Sequence, residues 1–216
     1  MTKDLSGRKI IFFDFDGTIV DTMKQYCNLY NEFAKQNGKP IVGPDDYAKM
    51  RRHSFNEVRK KLGLSLFETF FIAKKLKKQL YKKPSLIQLI PEIIDLINEL
   101  HNKDFLIYII SSNTKNNVQN ILTANKVQHI EHVISTFRGF EKTYFLKKYL
   151  RKNKEYRHAY VVSDEYKDIK AANRLGLFSI AVTWGANDFR QNQEIIPKFI
   201  IDKPSQLLTV IAQLEN

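Results

Sequence analysis

Early in the chain, Asp14-Phe15-Asp16-Gly17-Thr18 sets two carboxylates and a glycine directly after an apolar run. That run, KIIFF at residues 9–13, has the nearly continuous apolar character of a strand buried on both faces. Acids two positions apart point the same way if such a strand continues, and Gly17 permits a sharp exit from it. Asp-Gly is also a hairpin signal. A hairpin needs a matching strand after the turn, however, and the residues beyond Thr18 have a helical pattern. Burying charge is costly, so two carboxylates ending an interior strand lack an obvious structural purpose and are read as chemical groups.

The same arrangement recurs. Ser111-Ser112-Asn113 comes after the run FLIYII at residues 105–110, and Ser163-Asp164-Glu165 after AYVV at 159–162, with Asp168 four positions beyond Asp164. Taken singly, Ser111 could be a helix cap and the two aspartates turn or cap acids. HVI at 132–134 and SIAV at 179–182 also read as strands. Helical patterns lie between. Residues 91–101 open on a proline suited to a first turn and place Ile93, Ile94, Ile97 and Leu100 on one face. Residues 168–175 end at Gly176, a good helix exit. Strand–helix alternation of this kind predicts an α/β fold, a Rossmann-like parallel sheet with helices on both faces. The C-terminal ends of parallel strands share one edge, where open α/β folds bind ligands. Hydroxyls and carboxylates distant in sequence therefore converge on one crevice.

One region breaks the alternation. From about residue 22 to 83 the pattern is helical throughout. Ser54 to Glu57 and Ser65 to Glu68 both fit the capping box of a helix start. Pro44, Asp45 and Asp46 suggest another start, and Pro84-Ser85 a stop. The expected division is an α/β core of residues 1–20 and 85–216, interrupted by a small all-helical unit at 21–84. The lysines of residues 74–83 could form a nucleic-acid patch. Phe70, Ala73, Leu76 and Leu80 fall at helical spacing, however, which leaves those lysines a solvated face opposite.

Composition narrows the partners. A net charge of +12 asks for an anion: a phosphorylated small molecule, a nucleic acid or an anionic membrane surface. No apolar stretch approaches the length of a membrane span, and the polar start has no signal-peptide core, so no membrane role is expected. Cys27 is the only cysteine, which excludes an intrachain disulfide and a Cys-rich zinc site. It reads as a small hydrophobe on the apolar face of a helix. A reducing, cytoplasmic setting is the expectation.

With these motifs in place, the chain resembles the haloacid dehalogenase-like phosphohydrolases over nearly its whole length. The first motif of that family is similar to Asp14-Phe-Asp-Gly-Thr-Ile-Val-Asp21, the second to Ser111, the third to Lys142 in Gly139-Phe-Glu-Lys142, and the fourth to Asp164 and Asp168. The tail Ile180-Ala-Val-Thr-Trp-Gly185 is similar to the phosphoglycolate phosphatase-like branch, in which a helical cap domain sits where residues 21–84 do. Two positions depart from the pattern: Ser163 stands where glycine is usual, and Pro91-Glu92 where Pro-Gly is common.

The resemblance implies a Mg²⁺-dependent phosphatase acting on a small phosphorylated metabolite, first of all phosphoglycolate. Asp14 would attack phosphorus and become an aspartyl-phosphate. Asp16 would protonate the leaving oxygen and then activate water, and its presence argues against dehalogenation. Ser111 and Lys142 would steady the transferring group. The metal would be held by Asp14, the main-chain carbonyl of Asp16 and Asp164, with Asp168 ordering its surroundings. Substrate contacts fall to Thr18, Ser112 and Asn113, and to Arg51 and Arg52, beside His53, from the cap. Two alternatives remain: a phosphomutase using the same intermediate, and a basic nucleic-acid-binding protein on an inactive scaffold. Charge alone supports the latter.

Overall fold

A computed structural model describes residues 9–43, 46, 59–136, 142–152, 159–187, 189–190 and 194–215. Six strands form one wholly parallel sheet: β1 (Ile10–Phe13), β2 (Leu106–Ser111), β3 (His132–Ser135), β4 (Tyr160–Ser163), β5 (Phe178–Val182) and β6 (Phe199–Ile201). Their spatial order is β3-β2-β1-β4-β5-β6. The chain thus builds outward from β1 on one side, then returns to build the other. The crevice between β1 and β4 is the topological switch point, and Phe13 lies beside both Ile109 and Val162 there.

The strands alternate their side chains between two apolar layers. Ile11, Phe13, Ile107, Ile109 and Val162 share a cluster with Ile97 of α3 (Ile93–Asn102), Ile121 of α4 (Lys115–Ala124) and Leu207 of α7 (Gln206–Glu215). Ile10, Phe12, Leu106, Tyr108 and Val161 meet Leu146 of α5 (Lys142–Lys152) and Ala172 of α6 (Tyr166–Arg174) on the other face. Both faces of the sheet are covered, as the apolar runs predicted. β6 escaped the sequence reading, since Phe199-Ile-Ile201 is too short to signal a strand before the sheet supplies its partner, β5.

Among the described residues between β1 and α3, the long helices α1 (Thr22–Gln36) and α2 (Leu66–Leu80) are joined by a separate cluster of Cys27, Tyr30, Ala34, Val42, Leu62, Leu64 and Leu76. Asp21 caps α1, its carboxylate accepting the Lys24 N–H at 3.2 Å. The Ser65–Glu68 capping box is complete at the start of α2. Pro44, Asp45, the Ser54–Glu57 box, residues 51–53 and residues 139–141 lie outside the described residues. The two ends of this helical stretch meet, for Val20 pairs antiparallel with Leu89. Among the described residues no helix is long and apolar enough to cross a membrane.

Two expectations need correction. The buried line of α2 runs through Thr69, Leu76 and Leu80, and Phe70 is 64% exposed. The helix is rotated from the face its apolar residues suggest. Thr69 tolerates the interior because its hydroxyl donates to the Ser65 carbonyl at 2.7 Å. The second correction concerns α3, which starts at Ile93 rather than at Pro91. The Ile93 N–H donates to the Ile90 carbonyl, and Glu92 has φ 65 and ψ −2. That is the third position of a type II turn, the position that favours glycine. Replacing Glu92 by Gly should remove left-handed strain of about 1–2 kcal/mol and lose roughly 0.4–1 kcal/mol to a freer unfolded chain. Thermal denaturation should therefore show Glu92→Gly unfolding up to about 6 °C higher than the parent. A lower melting temperature would show that Glu92 has contacts outweighing its backbone.

Candidate active site

The first functional carboxylate belongs to Asp14, one residue past β1. Its N–H donates to the Val162 carbonyl at 2.9 Å, continuing the pairing with β4 by one step. Strands packed on both faces leave this strand end almost dry, and Asp14 is 3% exposed. Its Oδ1 accepts the Phe15 N–H at 2.6 Å and lies 2.6 Å from Nζ of Lys142, at the start of α5. The same ammonium donates to Asp168 Oδ2 at 2.5 Å. Burial pushes the Asp14 carboxyl upward while Lys142 pulls against it. Burial would lower the ammonium, yet Asp14 and Asp168 outweigh that and hold it well above its ordinary range. Lys142 therefore stays charged.

The segment after β4 supplies three acids. Ser163 donates its hydroxyl to Asp168 Oδ2 at 2.8 Å and accepts the Glu165 N–H at 3.1 Å. Asp168 keeps Oδ1 buried and without a hydrogen-bond partner. Asp14, Glu165 and Asp168 each bring an oxygen within 4.8 Å of the others. Asp164 is held differently. Thr18 donates its hydroxyl to Oδ1 at 3.0 Å, and the Ala186 N–H donates to Oδ2 at 2.8 Å. A Cβ on Gly17 or Gly185 would overlap this carboxylate, so both loops need glycine for their close approach. Burial first, then the charge of Asp14, pushes the Asp164 carboxyl up to about 7.

Asp16 stands apart, in the turn that Gly17 closes at φ 83. Its Oδ1 accepts the hydroxyl of Tyr81, just past the end of α2, at 2.7 Å. Burial pushes this carboxyl up to about 6, against the pull of the Tyr81 hydrogen bond.

The structure brings Asp14, Lys142 and Asp168 into direct contact and sets Ser111 at the end of β2 and Asp164 just past the end of β4, the two strands flanking β1. Ser111 is buried, and its hydroxyl oxygen accepts the Asn113 N–H at 3.0 Å. Ser112 is exposed. Asn113 is buried, with its Oδ1 accepting from Thr114 N–H and Asn117 Nδ2, both at 2.9 Å. Thr18, expected at the substrate, is instead fully buried and committed to Asp164, because the Gly17 turn folds its side chain inward. Arg51 and Arg52 lie outside the described residues. Sequence reasoning missed Glu165 and Tyr81. Glu165 stood inside a motif already singled out. Tyr81 had no local signal, being the residue that ends a Lys-rich helix.

Carboxylates here outnumber the buried ammonium, every donor is oxygen, and the buried Oδ1 of Asp168 accepts no hydrogen bond. That donor chemistry fits a hard divalent cation. Asp14, Glu165 and Asp168 already converge, and Asp164 stands beside them in sequence.

The chain has relatives among known proteins. Residues 11–182 match the haloacid dehalogenase-like hydrolase family. A phosphoglycolate phosphatase of Synechococcus elongatus is 29% identical over 206 residues, covering 94% of this chain and 97% of that one. The pyrophosphatase PpaX of Oceanobacillus iheyensis is 22% identical over 223 residues, covering 94% and 96%. Among solved structures, a haloacid dehalogenase-like protein of Agrobacterium tumefaciens superposes with a TM-score of 0.75 at 15% identity, over 97% of this chain and all of the other, a likeness of fold.

The raised Asp164 carboxyl has a measurable consequence. Its folded-state value of about 7 exceeds the ordinary 3.8. The stability it contributes is therefore complete below about pH 4 and is lost as pH rises through about 7. An amide cannot ionise and escapes that loss. In metal-free protein, the stability of Asp164→Asn relative to the parent should rise between pH 4 and 8, by roughly 4 kcal/mol at most. A difference that stays flat across that range, in urea unfolding, would show that Asp164 ionises without hindrance.

Proposed function

This chain belongs to the haloacid dehalogenase-like hydrolases, and from that premise we propose that it is a phosphatase that cleaves a small phosphorylated metabolite through a phosphoenzyme on Asp14. One observation carries the reading: the buried Asp14 carboxylate at the sheet edge, clamped by Lys142, which Asp168 holds in turn while the Ser163 hydroxyl braces Asp168. A structural ion pair needs no second pair of acids beside it, whereas an anion that must attack a phosphate does.

The acids suited to a divalent cation are Asp14, Glu165 and Asp168, together with Asp164 and the Asp16 carbonyl that the family resemblance adds. When bound, Mg²⁺ supplies the positive charge that lets a phosphate dianion approach a carboxylate. The protein's own groups do the rest. Asp14 attacks phosphorus in line, forming the Oδ–P bond as the ester P–O bond breaks. Asp16 delivers its proton to the departing oxygen; a carboxyl pushed up to about 6 suits that task near neutrality. Once the alcohol has left, Asp16 takes a proton from water, whose oxygen displaces Asp14 from phosphorus. Inorganic phosphate and the free carboxylate are regenerated. Lys142 and the Ser111 hydroxyl stabilise the transferring oxygens. Residues 21–84, with their separate apolar cluster, act as the cap over this edge. Phosphoglycolate is the first ester to try, given the name of the Synechococcus relative. The setting is cytoplasmic, with Cys27 a buried thiol that burial pushes up to about 11.

Two variants test the assignment. Asp14→Asn keeps the volume and removes the attacking anion, so turnover should fall by at least about 10³-fold with the circular dichroism unchanged; near-normal hydrolysis would refute the nucleophile. Asp16→Asn removes the proton donor and spares the attack. Its loss of kcat should be large for alkyl phosphates and smaller for p-nitrophenyl phosphate, whose leaving group needs little protonation. Equal losses on both would remove Asp16 from the acid role.

A further inference from the structure

A cavity of about 340 Å³ opens between α1, α2 and the loop after β5. Ligand sites run from roughly 300 to 1,000 Å³, so this one suits a small organic molecule. Its walls are chiefly apolar, among them Met23, Cys27, Ile72, Ala73 and Leu76.

Three wall residues tie the cavity to the acids. Ala186 gives its N–H to Asp164 Oδ2, and Asn187 gives its side-chain amide to the Asp164 carbonyl, each at 2.8 Å. Tyr26 feels the Asp16 carboxylate: burial first and that charge second hold its phenol well above the ordinary range. In addition α2, whose Ile72 and Leu76 face the cavity, ends beside Tyr81 and its 2.7 Å hydrogen bond to Asp16. Among the described residues of the wall, Arg59 is the only charged one. Its Nη donates to the Leu64 carbonyl at 2.6 Å, while its Nε is buried and has no hydrogen-bond partner. A buried donor left unpaired is unfavourable, and an acceptor on a ligand would satisfy it.

We infer that this cavity receives the departing alcohol, and that the preferred substrate is a phosphate monoester whose carbon part is chiefly apolar and carries one carboxylate or carbonyl for Arg59. The inference rests on the phosphatase reading with Asp16 as acid. The acid marks where the ester oxygen leaves; Asp16 is not itself in the cavity wall, but Tyr26, Ala186 and Asn187 stand between the acids and the cavity, which is the space that takes the rest of that alcohol. Glycolate, with two carbons, would leave most of the volume to water; a longer apolar chain expels that water favourably.

The test compares kcat/KM for the phosphate monoesters of glycolate, hexanol and ω-hydroxyhexanoate, with p-nitrophenyl phosphate beside them. The hydroxyhexanoate ester should exceed the glycolate ester by at least about tenfold, and the hexyl ester by a similar factor. Ala73→Phe, which fills the cavity from α2, should lower the hexyl-to-glycolate ratio at least about tenfold. Arg59→Met should erase the preference for the carboxylate-bearing chain. If p-nitrophenyl phosphate is cleaved but the glycolate ester is preferred to both longer ones, or if neither variant alters the ratios, the inference is overturned and the phosphatase reading stands. Cleavage of none of the four esters overturns both.

Discussion

The ammonium of Lys142, 2.6 Å from Asp14 and 2.5 Å from Asp168, is the contact on which the site depends. Its necessity begins in the sheet. Strands apolar on both faces are what bury the edge at which Asp14 stands, and the same burial makes its charge costly. One ammonium offsets part of that cost. It leaves Asp164 and the unpaired oxygen of Asp168 in surplus, while Glu165 is met separately by Lys167 at 2.6 Å. A site built this way is electrostatically incomplete alone, and that incompleteness favours a cation and a phosphate arriving together. The fold stores the demand for charge, and binding meets it.

The parallel topology lets one lysine reach both carboxylates. Asp14 leaves β1 and the acids of the fourth motif leave β4, and these are neighbours at the switch point. Close packing then holds the loops in register. Gly17 and Gly185 press against Asp164 from opposite stretches of chain, and Trp184 donates its indole N–H to the Thr18 carbonyl at 3.1 Å. The turn after β1, the loop after β4 and the loop after β5 thus share one anchor.

How much of this was legible in the sequence depended on whether the signal was local. Near-continuous apolar runs marked the four inner strands, β1, β2, β4 and β5, because each run is itself the cause of burial, and a shorter run marked β3 at the half-exposed edge. Asp14, Asp164 and Asp168 were legible because polar residues right after such runs must lie on one edge. What failed was non-local. Phe199-Ile-Ile201 becomes a strand only through β5. Thr69 replaces Phe70 on the inner face of α2 because the helix packs by its contacts with α1, not by the hydrophobicity of its own residues. Tyr81 reaches Asp16 across 65 positions of sequence, and nothing near Tyr81 announces it. Thr18 could be named as a site residue, yet only the fold shows its hydroxyl turned onto Asp164.

The two departures from the family pattern illustrate the difference between a substitution that the surroundings absorb and one that they do not. Ser163 replaces a glycine at a position whose backbone is outside the left-handed region, so no glycine is demanded there. Its hydroxyl finds work at once, donating to Asp168 and accepting from the Glu165 N–H, and it braces the acid that pairs with Lys142. A methyl at the same place would leave Asp168 with one donor fewer in a dry pocket. Glu92 is the opposite case. It occupies a left-handed turn position with an exposed side chain, far in function from the acids, where added strain lowers stability without touching chemistry. A site tolerates a new polar group when that group extends an existing network. A turn tolerates strain when the core beside it, here Ile93, Leu96 and Ile97 of α3, is buried well enough to hold the backbone in place.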